Sequence, residues 1–305
     1  MAVGGRLESG RPVNQAVRWF TAIRRASWHT APMHHDLELA VIGVGAMGGE
    51  ILRAAIDTGV LTPGTVGLVD ADPARLAPFA SLGCRPVGLA EAADAPRLLL
   101  AVKPQVFPEI AKTLHRTATP ADSASPRRLA VSVMAGLRAE RLAEALGADT
   151  AIVRTMPNTP ASIRLGMTAI SPGPGATAAD LDWVRRLFTA VGSVVDLDES
   201  HFHAVTAVSG SGPAWVFRMA EAWIAAAIGE GLPSDVARRL VIETMFGAAS
   251  LLRVGDRSPS ELRTAVTSRG GTTAAGLAAL DATGFDESVR AAIAAATARG
   301  RELDA

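Results

Sequence analysis

A glycine-rich turn between two apolar runs is the feature that most constrains the fold of this chain. The run Leu39–Ile42 is typical of a buried parallel strand. The turn that follows reads Gly43-Val44-Gly45-Ala46-Met47-Gly48, a GxGxxG pattern that opens a helical segment. A second apolar run, Val66–Val69, ends at Asp70, roughly twenty residues beyond the last glycine of the motif. This order of strand, glycine turn, helix, strand and acid predicts a Rossmann-type dinucleotide-binding unit.

The acid at position 70 bears on the choice of cofactor. We predict that the six residues of the glycine turn and Asp70 contact a dinucleotide. An acid at this place usually accepts hydrogen bonds from the ribose of NAD and repels the extra phosphate of NADP. The first basic residue that follows is Arg75. The residues therefore predict either use of both cofactors or a preference for NADH.

Two further apolar runs predict more strands of the same sheet. Leu98–Val102 ends at Lys103, and Leu129–Val133 follows later in the chain. In open α/β sheets, ligands bind beyond the carboxyl ends of the strands, so Lys103 is a candidate for contact with the cofactor. A solvated loop lysine is the alternative.

A second candidate binding site lies near the end of the chain. It reads Ser268-Arg269-Gly270-Gly271-Thr272-Thr273. Glycines permit a tight turn and leave the backbone uncovered, and the first free N–H groups of a following helix attract anions. No lysine follows the glycines as in a P-loop, so this cradle suits a small carboxylate better than a nucleotide phosphate. An ordinary loop with a helix N-cap is the alternative that these residues leave open.

Composition excludes several classes of partner. The chain has 30 basic and 30 acidic residues among 305, which argues against nucleic acid or an anionic membrane as the main partner. No apolar run approaches the length that spans a bilayer. The single cysteine, Cys84, cannot form an internal disulfide, which fits a reducing cytoplasm. We expect no metal site, because His201 and His203 would face different sides of a helix.

The pattern changes from strands to helices after about Glu199. The segments 206–231 and 234–252 are apolar on most of each helical face, and such helices must be buried. We therefore infer contacts between subunits.

The predicted domains are an extension at 1–36, a dinucleotide-binding domain at 37–199 and a helical domain at 200–305. The extension holds several arginines and ends near a second methionine, Met33, so we expect it to be disordered or to follow from a start codon upstream of the true one.

The segment from Pro259 to Asp281 resembles the signature of the pyrroline-5-carboxylate reductases. It matches at Pro259, Leu262, Val266, Thr267-Ser268, Gly270-Gly271-Thr272-Thr273, Ala275-Gly276-Leu277 and Leu280-Asp281. Blocks at 101–105, 153–160 and 208–214 also resemble that family. One departure is Arg269, where the family usually has proline; this residue adds a positive charge that could lie near a carboxylate.

The resemblance implies a Rossmann-type N-terminal domain followed by an all-α C-terminal dimerisation domain, hence a homodimer or a larger oligomer built from dimers. It implies reduction of Δ1-pyrroline-5-carboxylate to L-proline in the cytoplasm, with NADP as the usual cofactor and NAD as the alternative. Further cofactor contacts are expected at Ala101, Val102, Lys103, Pro104 and Ala135.

The same resemblance assigns the substrate contacts. The amides of Gly271, Thr272 and Thr273, with Gly270 and Ser268, are expected to hold the carboxylate. The Thr273 hydroxyl would reach the ring nitrogen as the catalytic group. Glu199 is expected near the substrate, although it could simply favour the positive start of a helix.

Two other functions remain open on sequence grounds. A β-hydroxyacid dehydrogenase with a similar layout would need a catalytic lysine on its helical domain, and residues 200–305 contain none. A dinucleotide-binding sensor that has lost turnover would keep the glycine turn, but the intact Gly-Gly-Thr-Thr cradle argues against it.

Overall fold

The computed structural model describes residues 37–115 and 127–304, so the predicted extension at 1–36 lies outside the described residues. The chain divides into two compact units. The first contains the described residues up to Thr206 together with those from Gly300 onward, and the second spans Ala207–Arg299. The domain limits drawn from the sequence, 37–199 and 200–305, stay a prediction.

An eight-stranded sheet forms the centre of the first unit. Its strands are β1 (Leu39–Ile42), β2 (Val66–Val69), β3 (Arg85–Pro86), β4 (Arg97–Leu100), β5 (Arg128–Ser132), β6 (Thr150–Met156), β7 (Gly166–Pro172) and β8 (Gly192–Asp196). Their spatial order is β3-β2-β1-β4-β5-β6-β7-β8. Neighbouring strands are parallel except β6 and β7, which are antiparallel. The order of the first six strands is that of dinucleotide-binding folds, which confirms the predicted Rossmann-type architecture.

Helices cover both faces of this sheet. They are α1 (Ala46–Asp57), α2 (Pro73–Ala80), α3 (Leu89–Ala92), α4 (Phe107–Leu114), α5 (Ala139–Leu146), α6 (Ala178–Thr189) and α7 (Phe202–Val205), with short 3₁₀ turns at Pro63–Thr65, Pro104–Val106, Thr159–Ile163 and Glu199–His201. In β1, Leu39 and Val41 pack into one apolar cluster with residues of α1 and α6. Ala40 and Ile42 point to the opposite face and join residues of α4 and α5. Burial on both faces explains why the central strands are continuous apolar runs.

The second unit consists of helices, as the sequence predicts. A π-helical turn, Thr206–Gly210, leads from the first unit into α8 (Gly212–Gly229), which is followed by α9 (Ser234–Val254), α10 (Pro259–Ala265), α11 (Thr272–Ala282) and α12 (Phe285–Asp304). The residues of α12 from Gly300 onward belong to the first unit. Among the residues of these five helices, only Ala237 and Val241 are buried within one chain. Phe217 and Phe246 are each more than half exposed, at 62% and 63%.

None of the helices in the two described stretches of the chain combines the length and the apolar character that crossing a bilayer requires.

Candidate active site

The glycine turn packs directly on the end of a neighbouring strand. Gly43 has a φ of +98°, and a methyl group built on it would lie 2.7 Å from the carbonyl carbon of Ala101, just beyond β4. A methyl group on Gly48 would lie 2.1 Å from the Gly43 carbonyl oxygen. Both positions therefore exclude a side chain, because the turn packs directly against the start of α1 and the end of β4.

The start of α1 is open to solvent instead. Gly45 is its N-cap residue, no side chain caps the helix, and its first turn contains no acid. A methyl group on Gly45 would meet only the Arg75 side chain, 3.4 Å away. The exposed N–H groups of the helix start are therefore available to an anionic ligand such as a pyrophosphate.

A cavity of about 560 Å³ adjoins this helix start. It is lined by Gly43, Gly45, Ala46, Asp70, Ala71, Asp72, Arg75, Ala101, Val102, Lys103 and Val106. Seven of these residues are predicted cofactor contacts: Gly43, Gly45, Ala46, Asp70, Ala101, Val102 and Lys103. The other predicted contacts, Val44, Met47, Gly48, Pro104 and Ala135, do not line it. Their contact with a cofactor stays a prediction.

The structure describes the surroundings of four of these five residues. Val44 is buried, and Met47 packs against the apolar cluster beside α1. Gly48 fills the contact between the turn and β4, as described above. Ala135 is exposed in the turn after β5.

Asp70 directly follows β2, and both of its carboxylate oxygens accept hydrogen bonds. Oδ2 accepts a hydrogen bond from the main-chain N–H of Val44 at 2.8 Å, and Oδ1 accepts one from the N–H of Asp72 at 2.9 Å. The side chain is 3% exposed. Asp70 therefore ties the glycine turn to the turn after β2, a structural role that the residue type alone does not reveal.

Four residues that line the cavity were not predicted to contact a cofactor: Ala71, Asp72 and Arg75, which follow this strand, and Val106, in the 3₁₀ turn after β4. Ala71 and Asp72 continue the turn, and Asp72 caps α2 by accepting a hydrogen bond from the N–H of Ala74 at 3.0 Å. Arg75 follows in the first turn of α2. The pair Asp72-Pro73 is a typical helix start, so the sequence contained a signal for α2 and for the placement of Arg75 beside the glycine turn.

Glu199 has partners within the protein. Its Oε1 accepts hydrogen bonds from Arg154 Nη1 at 2.7 Å and from the main-chain N–H of Ala139 at 2.9 Å. Ala139 is the first residue of α5, so the carboxylate also interacts favourably with the positive end of that helix. These contacts give Glu199 a structural role, and its contact with substrate stays a prediction.

In the second unit, the predicted cradle forms the start of α11. Gly270 has a φ of +72°, and a methyl group on Gly271 would lie 2.3 Å from the Ser268 hydroxyl oxygen. The Gly271 N–H donates to the Ser268 carbonyl at 3.1 Å. No side chain caps α11, and among the described residues no acceptor is found for the N–H groups of Thr272 and Thr273. These two amides are therefore available to an anion.

The geometry of the first unit fits a dinucleotide. Its glycine turn leaves no room for side chains against β4, its helix start is uncapped, and its cavity adjoins both. This arrangement can hold a pyrophosphate at the helix start with the rest of the cofactor along the edge of the sheet.

Comparison with known proteins identifies the family. A family model for pyrroline-5-carboxylate reductase dimerisation matches residues 199–303, and one described as NADP oxidoreductase coenzyme F420-dependent matches residues 38–136. A pyrroline-5-carboxylate reductase of Synechocystis sp. is 36% identical over 271 residues, which cover 88% of this chain and 98% of that protein. One from Mycobacterium tuberculosis is 38% identical over 288 residues, covering 87% and 96%.

A solved structure agrees with these relatives. The pyrroline-5-carboxylate reductase of Coxiella burnetii is 29% identical and superimposes with a TM-score of 0.78, covering 88% of this chain and 99% of that one. The chain belongs to the pyrroline-5-carboxylate reductase family.

Proposed function

We propose that this protein reduces Δ1-pyrroline-5-carboxylate to L-proline with a hydride from NAD(P)H, the final step of proline biosynthesis. The observation that carries the proposal is the similarity to reductases of that name along nearly the whole described chain. The cavity at the glycine turn supports the same chemistry. The relatives support this reaction and give no support to a sensor or to a β-hydroxyacid dehydrogenase.

The cavity of the first unit is the proposed cofactor site, with NADP as cofactor and NAD as the alternative. The description of the family model that matches residues 38–136 names NADP. When bound, the nicotinamide supplies the hydride that the C=N carbon of the substrate accepts. The protein contributes the open start of α1, which holds the negative pyrophosphate, and the turns that fix the orientation of the rings.

The start of α11 is the proposed site for the substrate carboxylate. The amides of Thr272 and Thr273 are available donors, while that of Gly271 is used within the turn. The Ser268 hydroxyl lies beside Gly271 and adds a further donor. A carboxylate at this helix start is stabilised by hydrogen bonds and by the helix dipole.

Thr273 is the proposed catalytic residue. Its hydroxyl oxygen accepts a hydrogen bond from the protonated ring nitrogen of the substrate, which helps the iminium to keep its proton while the carbon is reduced. An iminium substrate needs no strong general acid, so placement and preorganised donors supply most of the rate enhancement.

The proposed assembly is a homodimer through the C-terminal helices, or an oligomer of such dimers. The large apolar side chains exposed on α8 and α9 support it, because monomeric proteins rarely leave so much apolar surface in water.

The proposed location is the cytoplasm. It is supported by Cys84, which is the single cysteine and is buried; burial raises the pKa of its thiol and keeps it unreactive.

The test is oxidation of NADPH and of NADH, followed by absorbance, with Δ1-pyrroline-5-carboxylate as the substrate. We expect oxidation that depends on the imino acid and yields proline, by a protein that sediments as a dimer or larger. A folded oligomer that binds a dinucleotide but does not oxidise it with this substrate would contradict the proposed reaction.

A further inference from the structure

Arg75, in the first turn of α2, lines the cavity beside the open start of α1. Its side chain is about half exposed, and Nη1 lies 3.7 Å from Asp70 Oδ2 while Nε lies 3.6 Å from Asp72 Oδ2. Both distances are longer than a hydrogen bond. Among the described residues, no acceptor is found within hydrogen-bond distance of its N–H groups. Arg75 therefore presents unused donors beside the glycine turn.

Asp70 is not aimed at the cavity in the same way. Both of its oxygens already accept a main-chain N–H, from Val44 and from Asp72, and its side chain is almost wholly buried. Its negative charge is partly offset by those two N–H dipoles and by the nearby guanidinium. The residue that would ordinarily repel a ribose phosphate is thus used to hold two turns together.

We propose that Arg75 is the residue through which this cavity recognises the 2′-phosphate of NADPH, and that Asp70 is a positioning residue for the glycine turn. The inference rests on the proposed function for the presence of a dinucleotide. A guanidinium presents a planar set of donors that matches a phosphate in a bidentate manner. The cavity accordingly favours NADPH, whereas an acid at position 70 by itself predicts use of both cofactors or a preference for NADH.

Asp72 sets the strength of this preference. Its carboxylate lies beside Arg75 and competes with a phosphate for the guanidinium, while its other oxygen caps α2. Asparagine caps helices as well as aspartate does, so Asp72→Asn removes the competing charge and keeps the cap. The two variants, Arg75→Gln and Asp72→Asn, should therefore change the affinity for NADPH in opposite directions.

The experiment measures dissociation constants by calorimetry on the full-length protein, without imino acid. The ligands are NADPH, NADH and the fragment 2′,5′-ADP. We expect Arg75→Gln to weaken the binding of NADPH and of 2′,5′-ADP about tenfold and to leave the dissociation constant of NADH nearly unchanged. Asp72→Asn should strengthen NADPH roughly two- to fivefold. Arg85→Gln is the matched control, because Arg85 pairs with Glu91 and does not line the cavity.

The ratio of the two dissociation constants decides the outcome. A fall of the NADPH preference by at least about fivefold in Arg75→Gln supports the proposal. A smaller fall, or an equal loss of both cofactors, overturns it. Since no imino acid is present, this result is separate from the proposed reaction: a protein that fails to reduce Δ1-pyrroline-5-carboxylate can still show the shift in preference, and an active reductase can lack it.

Discussion

The Glu199 carboxylate and the Arg154 guanidinium form a buried ion pair, with 2.7 Å between Oε1 and Nη1. The exposed fractions of the two side chains are 13% and 4%. The guanidinium also lies over the Phe202 ring, 4.9 Å from its centre. Through the N–H of Ala139, the same carboxylate reaches the start of α5. This pair therefore joins β6, α5 and the turn that precedes α7.

Removing the carboxylate should leave a buried guanidinium without its charge partner. We expect Glu199→Ala to lower the free energy of unfolding by about 3 kcal/mol, measured by urea denaturation. The double variant Glu199→Ala/Arg154→Met should recover part of that loss, because it buries no unpaired charge. A single variant of normal stability with a raised KM for the imino acid would instead support the substrate contact predicted from the sequence.

The hydrogen bonds at the start of α6 predict that the stability of the fold depends on pH. Thr177 and Asp180 form a reciprocal capping box, and Arg127 donates to the Asp180 carboxylate. Burial acts to raise the pKa of Asp180, but the hydrogen bonds from Thr177 and Arg127 outweigh it and hold the pKa below its usual value. A lowered folded-state pKa means that the carboxylate stabilises the fold above the unfolded pKa, and that this contribution is lost as the pH falls through the folded value.

We therefore expect Asp180→Asn to cost about 1 kcal/mol of unfolding free energy at pH 7. This difference from the wild type should narrow as the pH falls below about 4, the region of the unfolded carboxyl pKa. Chemical denaturation over a pH series measures both. Asp182→Asn, on the same helix but outside the capping box, is the control. A difference that stays constant down to pH 2 (about two units below the unfolded pKa) would contradict this assignment.

Arg128 donates hydrogen bonds to carbonyl groups at the ends of three helices in the interior of the first unit. The side chain is fully buried, and its guanidinium donates to the carbonyls of Leu114, Leu146 and Ala93 at 2.7, 3.2 and 3.2 Å. Leu114 and Leu146 end α4 and α5, and Ala93 follows α3. Carbonyls at helix ends lack partners within the helix, so one cation satisfies several of them and interacts with three helix dipoles.

Arg128→Met should therefore be among the most destabilising single changes in this unit. We expect a loss of about 4 kcal/mol, because several buried carbonyls lose their donor at once. Thermal and urea unfolding measure the loss. Arg141→Met, at an exposed position of α5, should change stability by less than about 0.5 kcal/mol. Similar values for the two variants would show that the buried guanidinium does not stabilise these helix ends.

Asp70→Asn tests the positioning role at the glycine turn. Asparagine offers one acceptor oxygen where the carboxylate offers two, so one of the N–H groups of Val44 and Asp72 loses its partner. We expect a loss of about 2 kcal/mol in stability and weaker binding of NADPH and NADH by similar factors. Calorimetry with both cofactors checks this. A selective loss of NADH would show that the carboxylate recognises the ribose hydroxyls.

The central sheet could be predicted from sequence because its strands are buried on both faces. The apolar runs at 39–42 and 66–69 coincide with β1 and β2, and those at 98–102 and 129–133 overlap β4 and β5. Strands β3, β6, β7 and β8 were not predicted. Residues Gly192–Asp196 of β8 are largely exposed and carry no continuous apolar run. Their pairing depends on register with distant strands, which local patterns do not specify.

Only part of the cofactor site could be predicted from the sequence. The sequence predicted that Asp70 follows β2, but not which groups its oxygens contact, because that depends on the directions of the Val44 and Asp72 main-chain N–H groups. A residue type gives the charge at a position. The structure gives the partners, and here the partners change the expected role of the acid from recognition to support of the turn.

Thr273, in the first turn of α11, carries the most direct prediction about catalysis. Thr273→Val replaces the hydroxyl by a methyl group of similar size, so the proposed hydrogen bond to the imine nitrogen is lost and the fold is kept. We expect kcat to fall roughly ten- to a hundredfold. Thr273→Ser should retain much of the activity. Thr283→Val, at the other end of the same helix, is the control, because its hydroxyl bonds only to helix carbonyls. An unchanged kcat in Thr273→Val would exclude the hydroxyl from catalysis.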